Sequence, residues 1–332
     1  MKPLNVLVTG GAGFIGSHLV RRLLQDGHKI TVIDNFSTGR KENLVDVGAS
    51  IDLIEANISD YEKIAPYFKN MDMVFHVAAL ADIVPSIVGP RAYYHSNVMG
   101  TMSVVEAARN AGVKKLVYTA SSSCYGIPTE SFYPTSETAP IDVQYPYALT
   151  KYLGEQTALH WGKVYNLPTV SLRLFNVYGT RSRTSGTYGA VFGVFLAQKL
   201  DGKPYTVVGD GNQTRDFIYV SDVAEAFVTA AFSDETNAIF NVGTGNPQSI
   251  NKLVSLLGGE KIHIPKRPGE PDCTWADITK IKSKLKWQPR VSFEEGVQKI
   301  LQEINYWQDA PVWTPESIEN ATKDWFKYMV KE

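Results

Sequence analysis

The stretch Leu4-Asn5-Val6-Leu7-Val8-Thr9-Gly10-Gly11-Ala12-Gly13-Phe14-Ile15-Gly16 decides the fold. Its opening is an apolar, β-branched run of strand length that stops abruptly at glycine. His18 to Leu24 then carries helical periodicity, Gly27 ends it, and Lys29 to Ile33 is a second β-branched run closed by Asp34. Strand, glycine turn, helix and strand make one βαβ unit. Gly10, Gly13 and Gly16 are spaced Gly-x-x-Gly-x-x-Gly, so the turn lies where phosphate oxygens can approach N–H groups at a helix N-terminus. Asp34 falls eighteen residues after Gly16. A carboxylate there accepts hydrogen bonds from both hydroxyls of an adenosine ribose and repels a 2′-phosphate. A tight strand-helix connection with a capping aspartate is the plainer alternative. The five features in order favour a dinucleotide site, for NAD rather than NADP.

Working outward, strand-like runs recur at Ile51 to Glu55, Met73 to Ala78, Leu116 to Thr119 and Thr169 to Leu174, with helices expected at Tyr61 to Phe68, Asn97 to Ala111 and Tyr147 to Tyr165. Such alternation implies an α/β fold, a doubly wound parallel sheet whose ligands bind beyond the carboxyl ends of the strands. Asn57, His76 to Ala81, Ser121 to Tyr125 and Phe175 to Tyr178 all follow strands and open on that edge. After Gly179 the elements shorten. Strands are expected at Pro204 to Gly211, Arg215 to Val220 and Ala238 to Val242, helices at Val191 to Leu200, Ser221 to Phe232 and Ile250 to Leu257, and a loop at Arg181 to Gly189. Thr314-Pro315-Glu316 starts a helix with a hydroxyl cap and proline at its first position, and the segment to Met329 has an aromatic stripe for the protein body or a subunit interface. The expected organisation is a Rossmann domain over 1–178 and, over 179–332, a smaller α/β substrate-binding lobe with some segments returning to the first domain.

With 332 residues, 44% hydrophobic and 20% charged, the chain has material for one large or two moderate cores. A net charge of −1 gives no general attraction to nucleic acid. Cys124 and Cys273, the only cysteines, are too few for a disulfide framework or a cysteine zinc site, which points to a reducing compartment. With no membrane-length apolar run and no cleavable signal pattern after Met1, a cytoplasmic location is expected.

Tyr147-Ala148-Leu149-Thr150-Lys151 places a phenol and an ammonium one helical turn apart. A free phenol has a pKa of about 10, and a nearby cation that lowered it by roughly three units would make Tyr147 a base near neutrality, a differential interaction of about 4 kcal/mol. From the pentapeptide alone, a core tyrosine beside a surface lysine is the better reading.

Further motifs decide between those readings. His76-Val77-Ala78-Ala79, Asn97, Ser121-Ser122-Ser123-Cys124-Tyr125-Gly126, Tyr147 to Lys151, Arg173-Leu174-Phe175-Asn176, Arg215-Asp216-Phe217-Ile218-Tyr219-Val220-Ser221-Asp222-Val223 and Lys286-Trp287-Gln288-Pro289 occur in order. Together they resemble the extended short-chain dehydrogenase/reductase superfamily, and within it the nucleotide-sugar epimerases and dehydratases. The resemblance implies Tyr147 as base, Ser121 as the hydroxyl beside it on the reacting sugar oxygen, and Lys151 on the nicotinamide ribose. NAD is expected along Gly10, Gly13, Phe14, Ile15, Gly16, Asp34, Asn35, Asn57, Ile58 and Ala78, with Asn97 near its nicotinamide half. Position 57 is commonly aspartate in the family; Asn57 still offers an amide oxygen to the adenine amino group. On the substrate side the resemblance implies Asn176, Arg215 and Arg267 on a diphosphate and Glu270 on a ribose. Arginine suits that task because its planar fork matches phosphate oxygens. It further implies a homodimer through a four-helix bundle made from the helices at Asn97 to Ala111 and Tyr147 to Tyr165.

Family members share oxidation of a sugar carbon and differ afterwards. The 4,6-dehydratases carry acidic residues just after the hydroxyl residue, whereas this chain has Ser122 and Ser123. A triple-serine loop resembles that of 4-epimerases acting on N-acetylated UDP-hexosamines. Thr274, before Trp275-Ala276-Asp277, stands where a bulkier tyrosine would restrict N-acetyl groups. The expectation is a 4-epimerase interconverting UDP-GlcNAc and UDP-GalNAc, and the glucose pair as a further substrate. A dehydratase on a UDP-, GDP- or dTDP-sugar is the alternative, followed by a nucleotide-sugar reductase.

Overall fold

The structure, a computed structural model, describes residues 2–182 and 190–329. The loop expected at Arg181 to Gly189 falls for the most part outside these residues. Strands β1 (Asn5–Thr9), β2 (Lys29–Asp34), β3 (Ile51–Glu55), β4 (Met73–His76), β5 (Lys115–Ser121) and β6 (Thr169–Leu174) alternate with helices α1 (Phe14–Gln25), α2 (Tyr61–Ile64), α3 (Ile83–Val88), α4 (Pro90–Tyr93), α5 (Gly100–Asn110) and α6 (Pro146–Tyr165). The remaining strands are β7 (Asn176–Tyr178), β8 (Tyr205–Val208), β9 (Thr214–Arg215), β10 (Phe217–Tyr219), β11 (Ala238–Val242), β12 (Gln248–Ser249) and β13 (Lys261–Ile264). The remaining helices are α7 (Val191–Leu200), α8 (Val220–Ala231), α9 (Ile250–Leu257), α10 (Thr279–Leu285), α11 (Phe293–Gln302) and α12 (Pro315–Met329).

The seven-stranded sheet runs β3-β2-β1-β4-β5-β6-β11, and every pairing in it is parallel. The doubly wound Rossmann architecture expected from the alternation is therefore the architecture of the chain. Its order reverses between β1 and β4, where such sheets open a crevice at their carboxyl ends. Strand alternation feeds both faces. Val6 and Val8 join a core with Leu19, Val20 and Leu23 of α1 and Phe227 and Ala230 of α8, while Leu7 points the other way, toward Val104, Val105 and Ala108 of α5 and Ala158 of α6. A central strand buried on both faces has to be apolar throughout.

A third core, around Phe192, Phe195, Tyr205, Phe217, Trp307 and Ile318, belongs to the later part of the chain. There β8 pairs with β13, β7 with β10 and β9 with β12. Two later elements sit on the first sheet: β11 pairs with β6, and α8 packs on α1.

Several element boundaries differ from expectation. The helix expected from Tyr61 to Phe68 is α-helical only to Ile64 and then tightens into a 3₁₀ turn, because Pro66 has no N–H to continue the ladder. The helix expected to begin at Asn97 begins instead at Pro90 and passes through a π-helical segment, Tyr94–Met99, before α5. Helix α12 starts as expected, with the Ser317 N–H donating to Thr314 Oγ1 at 3.2 Å. No helix among the described residues is long and apolar enough to cross a membrane.

Candidate active site

Two adjoining cavities open at the carboxyl ends of the strands. The first, of about 360 Å³, is lined by Gly10, Gly13, Phe14, Ile15, Gly16, Asp34, Asn35, Asn57, Ile58 and Ala78. Gly10 has φ +72°, and a Cβ there would lie 2.6 Å from the Ala78 nitrogen; at Gly16 it would lie 2.1 Å from the Gly10 carbonyl oxygen. Neither position can hold a side chain without moving backbone. Asp34 ends β2 with its carboxylate held in place: Oδ2 accepts from the Ala12 N–H at 3.0 Å and Oδ1 from the Phe36 N–H at 2.9 Å. Burial raises its pKa from the ordinary range, and those backbone donors oppose the rise. The oxygens of Asn35 and Asn57 accept from Ser37 and Ser59, which fixes both side chains as local turns on the cavity rim. A buried, oriented carboxylate opposite a crowded glycine turn fits the adenosine diphosphate half of NAD.

Asn97, expected near the nicotinamide half of the cofactor, is not among the residues that line either cavity, although its neighbours Ser96 and Leu80 line the first. It is buried on the π-helical segment, where its oxygen accepts from the Leu80 N–H at 2.7 Å and its NH₂ donates to the Leu80 carbonyl at 2.9 Å and to Thr150 Oγ1 at 3.1 Å. The side chain thereby ties the loop after β4 to the helix carrying Tyr147 and Lys151. His76 lies in the same buried layer, between Thr9 Oγ1 at 2.7 Å and Thr101 Oγ1 at 2.9 Å, and burial lowers its pKa to about 3. Thr101 donates to the Asn97 carbonyl, so His76 Nε2 donates to Thr101 and Nδ1 accepts from Thr9.

The second cavity, of about 520 Å³, brings together Ser121, Ser122, Ser123, Tyr147, Lys151, Asn176, Arg215, Arg267, Glu270 and Thr274. These come from the ends of β5, β7 and β9, the start of α6, and the segment after β13. Phe14, Ile15, Ala79 and Val177 line both chambers, so the two share a wall. Ser121 is the hydroxyl that favours the charged form of the Tyr147 phenol, and its Oγ lies 2.8 Å from Ser123 Oγ. Thr274 Oγ1 donates to Asn176 Oδ1 at 2.7 Å and accepts from the Asp216 N–H at 3.0 Å. With its oxygen so occupied, Asn176 has its NH₂ to offer to an anionic ligand. Arg267 and Glu270 form an ion pair at 2.9 Å.

The expected lowering of the Tyr147 pKa is not what the fold produces. Desolvation raises it, and the Ser121 hydrogen bond works against that rise. The Lys151 ammonium sits 4.7 Å from the centroid of the Tyr118 ring, and burial lowers its own pKa to about 7, with Glu155 opposing. Burial outweighs the helical spacing because each charged form loses water before it gains a partner.

The Lys151 shift has a testable sign. Its folded pKa of about 7 lies below the ordinary 10.5. Between those values the unfolded chain binds more protons, so the stability of the NAD-free protein rises with pH across this window. Lys151→Met is expected to flatten that rise, as read by urea midpoints at intervals from neutral pH to the upper end of the window. An unchanged slope in the variant would rule out Lys151 as its source.

Other residues at the site had weak sequence signals. Tyr145 stacks on Tyr147 with an interplanar angle of 4°, and Tyr93 meets the same ring edge-on while its hydroxyl donates to the carbonyls of Ala81 and Asp82. Trp325 of α12 also lines the second cavity. Behind Lys151, Glu155 and Arg173 form a buried ion pair at 2.7 Å, to which Ser171 Oγ and Tyr125 Oη add hydrogen bonds. A charged Arg173 in the otherwise uncharged run of β6 was the available signal for such a partner.

The fold and the glycine turn with Asp34 mark a dinucleotide-binding class of protein. The chain belongs to the NAD dependent epimerase/dehydratase family, whose profile matches residues 6–243, and its cofactor is NAD. It is 38% identical over 310 residues to the UDP-glucose 4-epimerase of Mycolicibacterium smegmatis, covering 90% of this chain and 98% of that one. It is 31% identical over 311 residues to the UDP-N-acetyl-alpha-D-glucosaminuronate decarboxylase of Bacillus cytotoxicus, covering 89% and 96%. Among solved structures it is similar to the UDP-N-acetylglucosamine 4-epimerase of Methanobrevibacter ruminantium M1 in complex with UDP-N-acetylmuramic acid, with TM-score 0.85, 34% identity, and coverage of 91% and 100%.

Proposed function

We propose that this protein inverts C4 of a UDP-hexose, with UDP-GlcNAc and UDP-GalNAc as the principal pair and UDP-glucose and UDP-galactose as a second. The carrying observation is the single cavity in which Ser121, Tyr147 and Lys151 face Asn176, Arg215, Arg267 and Glu270. Such a cavity suits a ligand with an anionic diphosphate at one end and a reacting hydroxyl at the other.

When bound, NAD supplies the acceptor, and later the donor, of the hydride exchanged with C4. The glycine turn and Asp34 hold its adenosine diphosphate half, and Lys151 holds the nicotinamide ribose. In its phenolate form Tyr147 takes the proton from the C4 hydroxyl as C4 gives up its hydride, while Ser121 hydrogen-bonds the same oxygen, leaving a transient 4-keto sugar. The arginines and Asn176 keep the diphosphate in place as the sugar presents its other face, and Tyr147 returns the proton to the new alcohol. Ser122 and Ser123 offer hydroxyls where elimination of water would need an acid and a base.

A panel of UDP-, GDP- and dTDP-sugars, analysed by chromatography and mass spectrometry, tests this reading. Interconversion of the UDP-N-acetylhexosamines without mass change is the expected result. Loss of one water would instead assign a dehydratase, and loss of carbon dioxide from a UDP-uronic acid a decarboxylase. Thr274→Tyr is expected to reduce turnover of the N-acetylated pair relative to the glucose pair by about tenfold or more, a pocket effect of ordinary size. An unchanged ratio would remove Thr274 from the specificity argument.

We also read the helical pair α5 and α6, with Met102 of α5 exposed to 38%, Tyr165 of α6 to 44% and Met99, just before α5, to 47%, as one half of a four-helix-bundle homodimer. The protein is read as cytoplasmic.

A further inference from the structure

The family profile ends at residue 243, whereas the wall of the second cavity does not. Helix α12 begins at Pro315 and puts Ile318, Thr322 and Trp325 on one buried stripe, exposed to 4%, 2% and 2%. A stripe of this kind alone would read as packing. Trp325 does more than pack, because it contacts the loop that carries two of the cavity's charged groups.

Its indole N–H donates to the Pro268 carbonyl at 2.7 Å, and its ring lies 5.6 Å from the Arg267 guanidinium carbon, within the range of a cation-π contact. One turn further on, the Met329 methyl closes on the same loop: a Cβ built at Gly269, where φ is +75°, would come within 2.7 Å of it. The loop from Arg267 to Glu270 is thus held from beneath by α12. Helix α12 also packs against α3, and Ile83 and Val84 of α3 line the same cavity. One helix therefore joins two walls that come from sequence positions far apart. Arg267 already shares its charge with Glu270. A guanidinium held between a carboxylate and an aromatic face has little freedom to choose another rotamer, and a bidentate anion contact depends on that geometry.

We propose that α12 is a working part of the substrate cleft and that Trp325 is the positioning residue that sets Arg267 and Glu270 for a nucleoside diphosphate. This rests on the proposed function, which supplies the diphosphate as the ligand of Arg267. Three properties follow. The helix affects binding of the nucleotide end more than chemistry at the sugar. It affects NAD little, because the glycine turn and Asp34 lie in the other chamber. Its outward face is dispensable.

The test uses the full-length, NAD-loaded protein and isothermal titration with UDP, dTDP and GDP, on wild type, Trp325→Phe, Trp325→Ala and Tyr328→Ala. Tyr328 is 62% exposed on the same helix and serves as the control. Bound NAD is quantified after denaturation, and titrations are run well below the lowest melting temperature in the set. The expected result is weakening of the preferred diphosphate by about tenfold or more in Trp325→Ala and by about threefold in Trp325→Phe, with Tyr328→Ala at the wild-type value, since the buried hydrogen bond lost in both variants and the arginine loosened only in Trp325→Ala are each worth about threefold. Steady-state kinetics should show the same rise in KM with a much smaller change in kcat. A tryptophan that only supports the fold would lower the melting temperature and leave the dissociation constant unchanged, and that outcome overturns the inference. Wild type binding dTDP or GDP in preference to UDP would overturn the uridine assignment alone, and the variants are then judged on the preferred nucleotide. Wild type binding none of the three would overturn both.

Discussion

Replacing Tyr147 with phenylalanine is expected to lower kcat by about three orders of magnitude while leaving NAD bound, a loss typical of removing a positioned acid-base group. The size follows from the site. Among the groups lining the second cavity, the Tyr147 phenol is the one whose ionisation Ser121 favours and that shares a helical face with Lys151. Phenylalanine keeps the ring that stacks on Tyr145 and meets Tyr93 edge-on, so packing survives and proton transfer does not. The measurement is single-turnover epimerisation of the substrate found in the sugar panel, with bound NAD quantified in the same preparation. A variant turning over at more than about a tenth of the wild-type rate would show that another group moves the proton.

The second large effect is on stability. Removing the Glu155 carboxylate as Glu155→Ala leaves the Arg173 guanidinium buried without its ionic partner, a loss of about 3–5 kcal/mol when a buried pair is broken. Both side chains are nearly inaccessible, exposed to 1% and 3%. They also join α6 to β6, since Ser171 and Arg173 on the strand both donate to the helix residue. Urea denaturation should show the loss as a lower midpoint at an unchanged slope. The double substitution Glu155→Met with Arg173→Leu should recover part of it, because an apolar pair carries no desolvation penalty. A single variant within about 1 kcal/mol of wild type would mean that water reaches the pair.

The first half of the fold was legible in the sequence because its elements obey simple periods. Val6, Leu7 and Val8 had to be a strand buried on both faces, and Gly10 to Gly13 had to be a turn into a helix. The members of the second cavity were legible too, since all the expected catalytic and substrate residues line it, although their roles there remain proposals. What escaped was of two kinds. Some was non-local, such as Trp325, whose partner Pro268 is 57 residues away in the chain, a separation that no local pattern reports. The rest came from the balance of solvation and charge. The spacing of Tyr147 and Lys151 suggested a cation lowering a phenol's pKa, but spacing carries no information about lost water. In the fold, burial moves the phenol up and the ammonium down. Asn97 adds a contact of the non-local kind, since its buried amide ties the loop after β4 to α6.

The π-helical turn on which Asn97 sits also acts as a phase shifter. One extra residue in a turn rotates everything after it by about 100° relative to an uninterrupted α-helix. Upstream of the turn, Tyr93 is aimed at Ala81, Asp82 and the Tyr147 ring; downstream, Val104, Val105 and Ala108 are aimed at the sheet. A single unbroken screw would have to compromise between those two directions. The turn lets one continuous rod serve two angular settings, one for the reacting centre and one for the core, so that each can be tuned by substitution without twisting the other out of line.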